Sequence, residues 1–268
     1  MSKGILIFAL NSAEIDYVKV AKVTAALAKS ALNLPVTLIT NEDVTDEIFN
    51  NVIKVSDING QQRTVISSNE KIQIDWKNQN RVDAYALSPY DETLLIDADY
   101  FIFNDDLLKL FDTSVDFLAF DNATDITNFT RLENIRLSSI SITMYWATVI
   151  YFKKSVFADA MFSMMTLIRN NYNYYSLLYS VKGSQFRNDY ALSIAYHALS
   201  GYTTQVNSIP GMLLTLTDSN INIKDGSFVF KTANGTSKIC NANLHILDKM
   251  LIQNDSFLEK VKSLGKIA

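Results

Sequence analysis

Hydrophobic positions in this chain fall into short unbroken runs, separated by longer stretches with helical spacing. Gly4 to Leu10, Val36 to Thr40 and Thr93 to Ile96 are apolar or nearly so. That is the pattern of strands buried on both faces, as in a parallel sheet. Between the first two runs, residues 13 to 33 predict a helix. Ile15, Val18, Lys22, Ala25 and Lys29 mark one line, and Tyr17, Val20, Ala21, Thr24, Ala28 and Ala31 form a small-residue face suited to packing on a sheet. Ser12 is the expected N-cap with Glu14 in the first turn, and Asn33 and Pro35 end the helix. Strand, helix and strand in this order make a βαβ unit with parallel strands.

Further elements follow the same logic. Asn51 to Val55 predicts a third strand. Residues 57 to 74 are polar and predict nothing definite. Trp76 to Leu87 predicts a helix, Asp105 to Phe111 a short one, and Val115 to Phe120 a strand. Ser139 to Phe152 is rich in β-formers and predicts one or two strands. Ser155 to Asn170 is a methionine-rich helix, expected to serve the core. Asn171 to Arg187 interleaves tyrosines with Lys182 and Arg187. It reads either as an aromatic-basic surface for sugars or bases or as a half-buried helix. Asn188-Asp189 is expected to cap a helix running to Leu199 and ending at Gly201, with His197 structural inside it. Short strands and turns over 205 to 240 include a hairpin at Ala233-Asn234-Gly235, and a helix closes the chain. The fold class is α/β, with a mostly parallel central sheet and helices on both faces.

Composition narrows the class. A chain of 268 residues with 48% hydrophobic content can bury a sizeable core, and only 3 prolines and 8 glycines leave no stretch resembling a linker, so one domain over 1–268 is expected. The single cysteine, Cys240, excludes an internal disulfide and fits a reducing, cytoplasmic setting; it is expected to be a buried small apolar residue. No apolar run reaches the about 18 residues of a membrane span. Residues 1 to 128 carry 10 Lys and Arg against 20 Asp and Glu, whereas residues 129 to 268 carry 14 against 8. Such asymmetry points one side of the molecule at an anion, unless it is chance clustering of surface charge.

The candidate chemistry sits at one strand end. Thr93-Leu94-Leu95-Ile96 runs directly into Asp97-Ala98-Asp99. A buried strand excludes charge, so both carboxylates belong at its carboxyl end, where open α/β sheets bind ligands. Two hard oxygen donors one residue apart suit Mg²⁺ or Mn²⁺ completed by phosphate oxygens. The blander reading is a solvated strand end. A phosphatase-type aspartate nucleophile fits poorly, because Phe101 stands where a Thr or Val is needed and the motif begins at residue 97. Two histidines and one cysteine make a Ser-His-Asp hydrolase or a structural zinc site hard to build. No G-x-G-x-x-G follows the first strand, which argues against an ordinary dinucleotide fold, and no Gly-rich basic loop serves a nucleotidyltransferase there.

Asn80-Arg81-Val82-Asp83-Ala84-Tyr85, Leu94 to Phe103, and Asp105-Asp106-Leu107-Leu108-Lys109-Leu110-Phe111 together resemble the central signature of GT-A fold nucleotide-sugar glycosyltransferases. The likeness is strongest to the glycogenin and lipopolysaccharide galactosyltransferase group, and extends to glycosyltransferase-like proteins of tailed bacteriophages. The resemblance implies a metal-dependent transferase. Asp97 and Asp99 would hold Mn²⁺ or Mg²⁺ on the donor diphosphate with Ala98 between them, and His245 would be the third ligand. Lys249 would meet the diphosphate. The family usually carries Gly three and Lys six residues after the His, whereas Asp248 and Lys249 stand at three and four here. Ala9, Leu10 and Asn11, with Asn41 to Asp43, would border the nucleoside. Arg81 would reach the donor, and Asp189 would contact the donor sugar or serve the acceptor hydroxyl. Residues 1–128 would bind the nucleotide sugar, a UDP-sugar, and 129–268 the acceptor. That acceptor is a hydroxymethylated pyrimidine in phage DNA, which places the protein in the host cytoplasm, or a glycan or lipopolysaccharide. The remaining alternative is a non-catalytic binding protein on the same scaffold.

Overall fold

A computed structural model of the chain describes residues 1–56, 60–67, 70–127, 130–131, 136–181, 185–203, 207–217, 221–232 and 234–265. Strand β1 (Lys3–Phe8), helix α1 (Tyr17–Leu32) and strand β2 (Val36–Thr40) form the expected βαβ unit. β1 and β2 are parallel with Ile5 opposite Val36, and β3 (Asn51–Lys54) lies parallel beyond β2. A Cβ on Gly4 would lie 2.3 Å from the ring of Tyr90, so glycine is what lets that ring rest on β1.

α1 begins at Tyr17 rather than residue 13, and its N-cap is Asp16, whose Oδ1 accepts from Lys19 N at 3.0 Å. Ser12 instead accepts from the backbone of Glu14 and Ile15 at 3.3 and 3.2 Å. That local turn competes with helix and delays it. Asn33 ends the helix in the left-handed region, at φ 51°.

The polar stretch after β3 contains a hairpin, β4 (Gln61–Ser67) against β5 (Glu70–Trp76), where no element was expected; residues 57–59 and 68–69 fall outside the description. Trp76 therefore ends a strand. The predicted helix from it is a 3₁₀ turn over Asn78–Asp83 followed by the short α2 (Ala84–Leu87). β6 (Glu92–Asp97) and β7 (Tyr100–Phe101) flank the Asp-Ala-Asp turn, and the helix expected next is a 3₁₀ turn over Asp106–Asp112. β8 (Phe117–Phe120), β9 (Ala123–Asp125), β10 (Thr130–Arg131) and β11 (Trp146–Lys153) follow. The strand region expected from Ser139 starts only at Trp146.

α3 (Val156–Asn170) is capped by Ser155, and α4 (Tyr172–Leu178) is the half-buried helix, with Tyr172 inward and Tyr174 outward. Lys182 lies outside the described residues. α5 (Asn188–Leu199) includes Asn188 and Asp189 in its first turn rather than ahead of it. β12 (Leu213–Leu216), β13 (Asn222–Lys224), β14 (Ser227–Thr232), β15 (Gly235–Ile239), β16 (Leu244–Ile246) and α6 (Asp255–Leu264) complete the chain. The hairpin of β14 and β15 turns where the sequence predicts, although Ala233 itself is not described. Cys240 is exposed rather than buried, because it follows β15 at the edge of a three-stranded sheet.

The central sheet has the order β3-β2-β1-β6-β11-β8. β11 is antiparallel to both neighbours, so five of the six strands run one way and the sheet is mostly parallel. A second sheet, β10-β9-β12-β16-β7, stands beside it. α1 serves both cores: Ala21, Ala25 and Ala28 pack with the central sheet, and Val20, Val23 and Leu27 with the second cluster around Phe101, Leu244 and Ile246. Between these faces, the Thr24 hydroxyl donates to the carbonyl of Ala98 and ties the helix to the Asp-Ala-Asp turn. No helix among the described residues is long and apolar enough to cross a membrane.

Candidate active site

Asp97 is the last residue of β6 and Asp99 the last before β7. His245 reaches them through strand pairing. β16 lies antiparallel to β7 with His245 opposite Tyr100, and Ile246 N donates to Asp99 O at 3.1 Å. His245 Nε2 stands 3.2 Å from Asp99 Oδ1 and 4.0 Å from Asp97 Oδ2, while its Nδ1 faces Thr148 Oγ1 at 3.4 Å. One donor atom from each of Asp97, Asp99 and His245 falls within 4.8 Å of the others. Two carboxylate oxygens and an imidazole nitrogen are a donor set that fits Mn²⁺ or Mg²⁺.

The flanking charges are paired with these groups. Arg81, 1% exposed, donates to Asp97 and, at 2.6 Å, to the carbonyl of Ala147. Lys249 contacts Asp99 and lies 5.9 Å from the ring centre of Tyr17. Burial pushes the Asp97 carboxyl up against the opposing pull of Arg81, and neighbouring Asp99 pushes it further. Burial acts on Asp99 in the same sense, but Lys249 and His245 outweigh it and hold that carboxyl well below the usual range. The two carboxylates of one turn thus differ in basicity because their cations differ.

Asp189 lines the same cavity. Its Oδ1 accepts from Ala147 N at 2.8 Å, and its Oδ2 accepts from Arg187 Nη2 at 2.7 Å. Burial would raise its pKa, but Arg187 and the Ala147 amide lower it overall. Because β11 runs against β6, its first residues meet the carboxyl end of the parallel strands. Ala147 therefore touches both Arg81 and Asp189.

A cavity of about 650 Å³ joins these groups and is lined by Leu10, Arg81, Asp97, Ala98, Asp99, Asp189, His245 and Lys249. Ala9, Asn11, Asn41 and Asp43 are not among its lining residues. Ala9 is buried in the core. Asn41 Oδ1 accepts from Asn11 N at 2.8 Å, so that pair joins two strand ends. Asp43 is exposed and paired with Lys54 at 2.6 Å.

One wall of the cavity was not anticipated. Arg63 of β4 stacks on Trp76 of β5, 3.3 Å from the ring centre, and donates to the carbonyl of Phe186. Arg63 pairs with Ile74 in the hairpin, so Trp76 is its diagonal neighbour on the same face. The alternation Ile72, Ile74, Trp76 against Gln73 and Asp75 was the available strand signal.

No protein-family profile matches the chain, and no curated protein sequence matches it. Among solved structures, the glycosyltransferase GlyE of Streptococcus pneumoniae TIGR4 is similar over 78% of this chain at 12% identity, with a TM-score of 0.42. The chain spans only 45% of that protein's length. The galactosyltransferase LgtC, in complex with donor and acceptor sugar analogues, is similar over 70% of this chain and 69% of its own, at 14% identity and a TM-score of 0.43. The bifunctional glycosyltransferase WbbM covers 62% of this chain and 34% of its own, at 13% identity and a TM-score of 0.37. Likenesses this remote say nothing about individual side chains.

Proposed function

We propose that the chain is a metal-dependent glycosyltransferase that moves a sugar from a nucleotide-sugar donor, UDP-linked, to a hydroxyl acceptor. The observation carrying this reading is the convergence of Asp97, Asp99 and His245 with Lys249 and Asp189 on one cavity. Breaking a sugar-diphosphate bond leaves negative charge on the departing nucleoside diphosphate. Asp97, Asp99 and His245 would hold Mn²⁺ or Mg²⁺, which would supply Lewis-acid stabilisation of that charge. Lys249, paired with Asp99 in the free protein, adds a cation for the same oxygens. Arg81 keeps Asp97 aligned and has both of its Nη groups turned to protein acceptors. Asp189 keeps a low pKa through Arg187, which makes it a poor proton acceptor but a strong hydrogen-bond acceptor. Its part in this reading is to orient sugar hydroxyls. The amino-terminal half supplies both metal-binding carboxylates, and the rest supplies His245, Lys249 and Asp189.

Thermal unfolding with a panel of nucleotide sugars, with and without Mn²⁺, tests the proposal. A ligand of the folded state raises the midpoint. The expected result is a shift that needs both metal and one nucleotide sugar, and that disappears in Asp97→Asn/Asp99→Asn. No shift with any donor, in a protein that unfolds cooperatively, removes the transferase reading and leaves a binding protein on the scaffold. For the acceptor, transfer to DNA containing hydroxymethylated pyrimidine would fall steeply with salt, and transfer to a neutral glycan would not.

A further inference from the structure

One cation of the cavity has no carboxylate partner among the described residues. Three others are closed on its three carboxylates, Arg81 on Asp97, Lys249 on Asp99 and Arg187 on Asp189, and Lys77, which also lines it, has a contact of its own. A divalent ion and the doubly charged diphosphate of a sugar nucleotide cancel each other, so a loaded donor leaves that balance unchanged. Arg63 stands outside it. Among the described residues it makes no ion pair with a carboxylate; it rests on Trp76 and donates to the Phe186 carbonyl. Burial, and then the charge of Arg187, lower its pKa to about 10, which leaves it charged at neutral pH. A half-buried guanidinium on an aromatic platform presents a planar fork of donors matched to a carboxylate or phosphate.

Its location says which substrate. The hairpin is tied to the segment before α5 by Arg63 to Phe186 O and by Gln185 Nε2 to Gln62 O. Arg63 is therefore held near Asp189, and it is among the charges that lower the Asp189 pKa. The metal cluster answers chiefly to Arg81, Lys249 and His245, with Asp189 a smaller influence on Asp97, and Arg63 is not among the main charges acting on either metal-binding carboxylate.

We infer that Arg63, carried on Trp76, recognises an oxyanion on the second substrate, so that the acceptor is a carbohydrate bearing a carboxylate or a phosphate. This rests on the transferase reading above. A nucleic acid would be met by a stripe of exposed basic residues along its backbone, whereas Arg63 is half-buried in the wall of a cavity, which suits a compact anionic sugar.

Calorimetric titration of the full chain at fixed ionic strength tests this. Glucuronate, glucose 6-phosphate, glucose and a short single-stranded oligonucleotide are titrated, each with and without UDP and Mn²⁺. Wild type, Arg63→Met and Arg63→Lys are compared, and UDP with Mn²⁺ is titrated alone into each. The expected result is that one or both anionic sugars bind about tenfold or more tighter than glucose, and the two arms tell carboxylate from phosphate. Arg63→Met abolishes the preference, Arg63→Lys restores part of it, and UDP–Mn²⁺ binding is the same in all three. Anionic sugars that bind no better than glucose overturn the inference, as does a preference that survives Arg63→Met or tight oligonucleotide binding without a sugar preference. Failure of wild type to bind UDP–Mn²⁺ is a separate result that sinks the transferase reading, while the titrations without UDP still report on Arg63.

Discussion

The buried Arg81 pairs with Asp97, whose side chain is 25% exposed, at the carboxyl end of the central sheet, and the guanidinium also reaches the carbonyls of Ala147 and Thr148 at 2.6 and 3.3 Å. One side chain thus joins the Asp-Ala-Asp strand to the reversed strand beside it. Removing Arg81 leaves the partly exposed Asp97 without its cation and takes a donor from the carbonyls of Ala147 and Thr148. Arg81→Met is expected to lower unfolding stability by about 2–3 kcal/mol, read by urea denaturation. Arg81→Lys keeps the charge but not the fork, and should recover only part of the loss. A change below about 1 kcal/mol in Arg81→Met would show that the pair carries no more than an exposed one.

Lys249 and a divalent ion compete for Asp99. In the free protein the ammonium group sits on the carboxylate that the ion needs. Lys249→Met is therefore expected to tighten Mn²⁺ binding in the absence of nucleotide by about tenfold and to weaken UDP binding once Mn²⁺ is saturating. Electron paramagnetic resonance counts free Mn²⁺ directly. Parallel losses in both measurements would mean that Lys249 supports the cluster instead of competing within it.

Asp189 gives a pH signature. Its folded pKa lies below the ordinary value because Arg187 and the Ala147 amide outweigh burial. Its stabilising contribution is present in full above the unfolded carboxyl pKa of about 4 and fades as pH falls through the lower folded value. In Arg187→Met, only the Ala147 amide and Arg63 still oppose burial, so the folded pKa rises and the stabilisation gained on ionisation shrinks. The stability gap between wild type and Arg187→Met should widen from pH 3 to pH 6. Urea midpoints across that range decide it, and a gap independent of pH would place the pair's effect in packing alone.

Tyr151 donates to Glu92 at 2.5 Å, and both side chains are buried. Tyr151→Phe leaves a carboxyl group without that donor inside the core and is expected to cost about 1–3 kcal/mol of stability. Because this contact lies at the amino end of β6, away from Asp97, nucleotide and metal affinity should stay at wild-type values. A loss of metal affinity in Tyr151→Phe would show coupling along the strand.

What the sequence reveals depends on how locally each feature is determined. β1, β2 and β6 were legible because strands buried on both faces must be apolar throughout, and Asp97 and Asp99 were legible because charge cannot continue such a strand. The start of α1 was misread because Ser12 closes its own turn before the helix begins. The β4–β5 hairpin was invisible for a different reason. An isolated two-stranded hairpin is marginal, and its tethers come from Gln185 and Phe186, 123 residues away from their partners. Arg63 and Trp76 acquire their role only through that long-range contact. Arg187 was visible as one basic residue among tyrosines, but nothing local shows that its partner is Asp189 rather than solvent. Cys240 looked like a core residue by type, yet edge position decided its exposure.

The cluster joins positions far apart along the chain: His245 is 146 residues from Asp99, and Lys249 is 150. Any ligand gripping all of them acts as a reversible staple across a very long loop. Closing such a loop costs entropy in the unfolded chain that the staple can counter only after β16 has docked on β7. The site therefore does not exist in a chain that has folded its first sheet but not yet seated its last strand. Ligand affinity in this protein doubles as a report that assembly has finished.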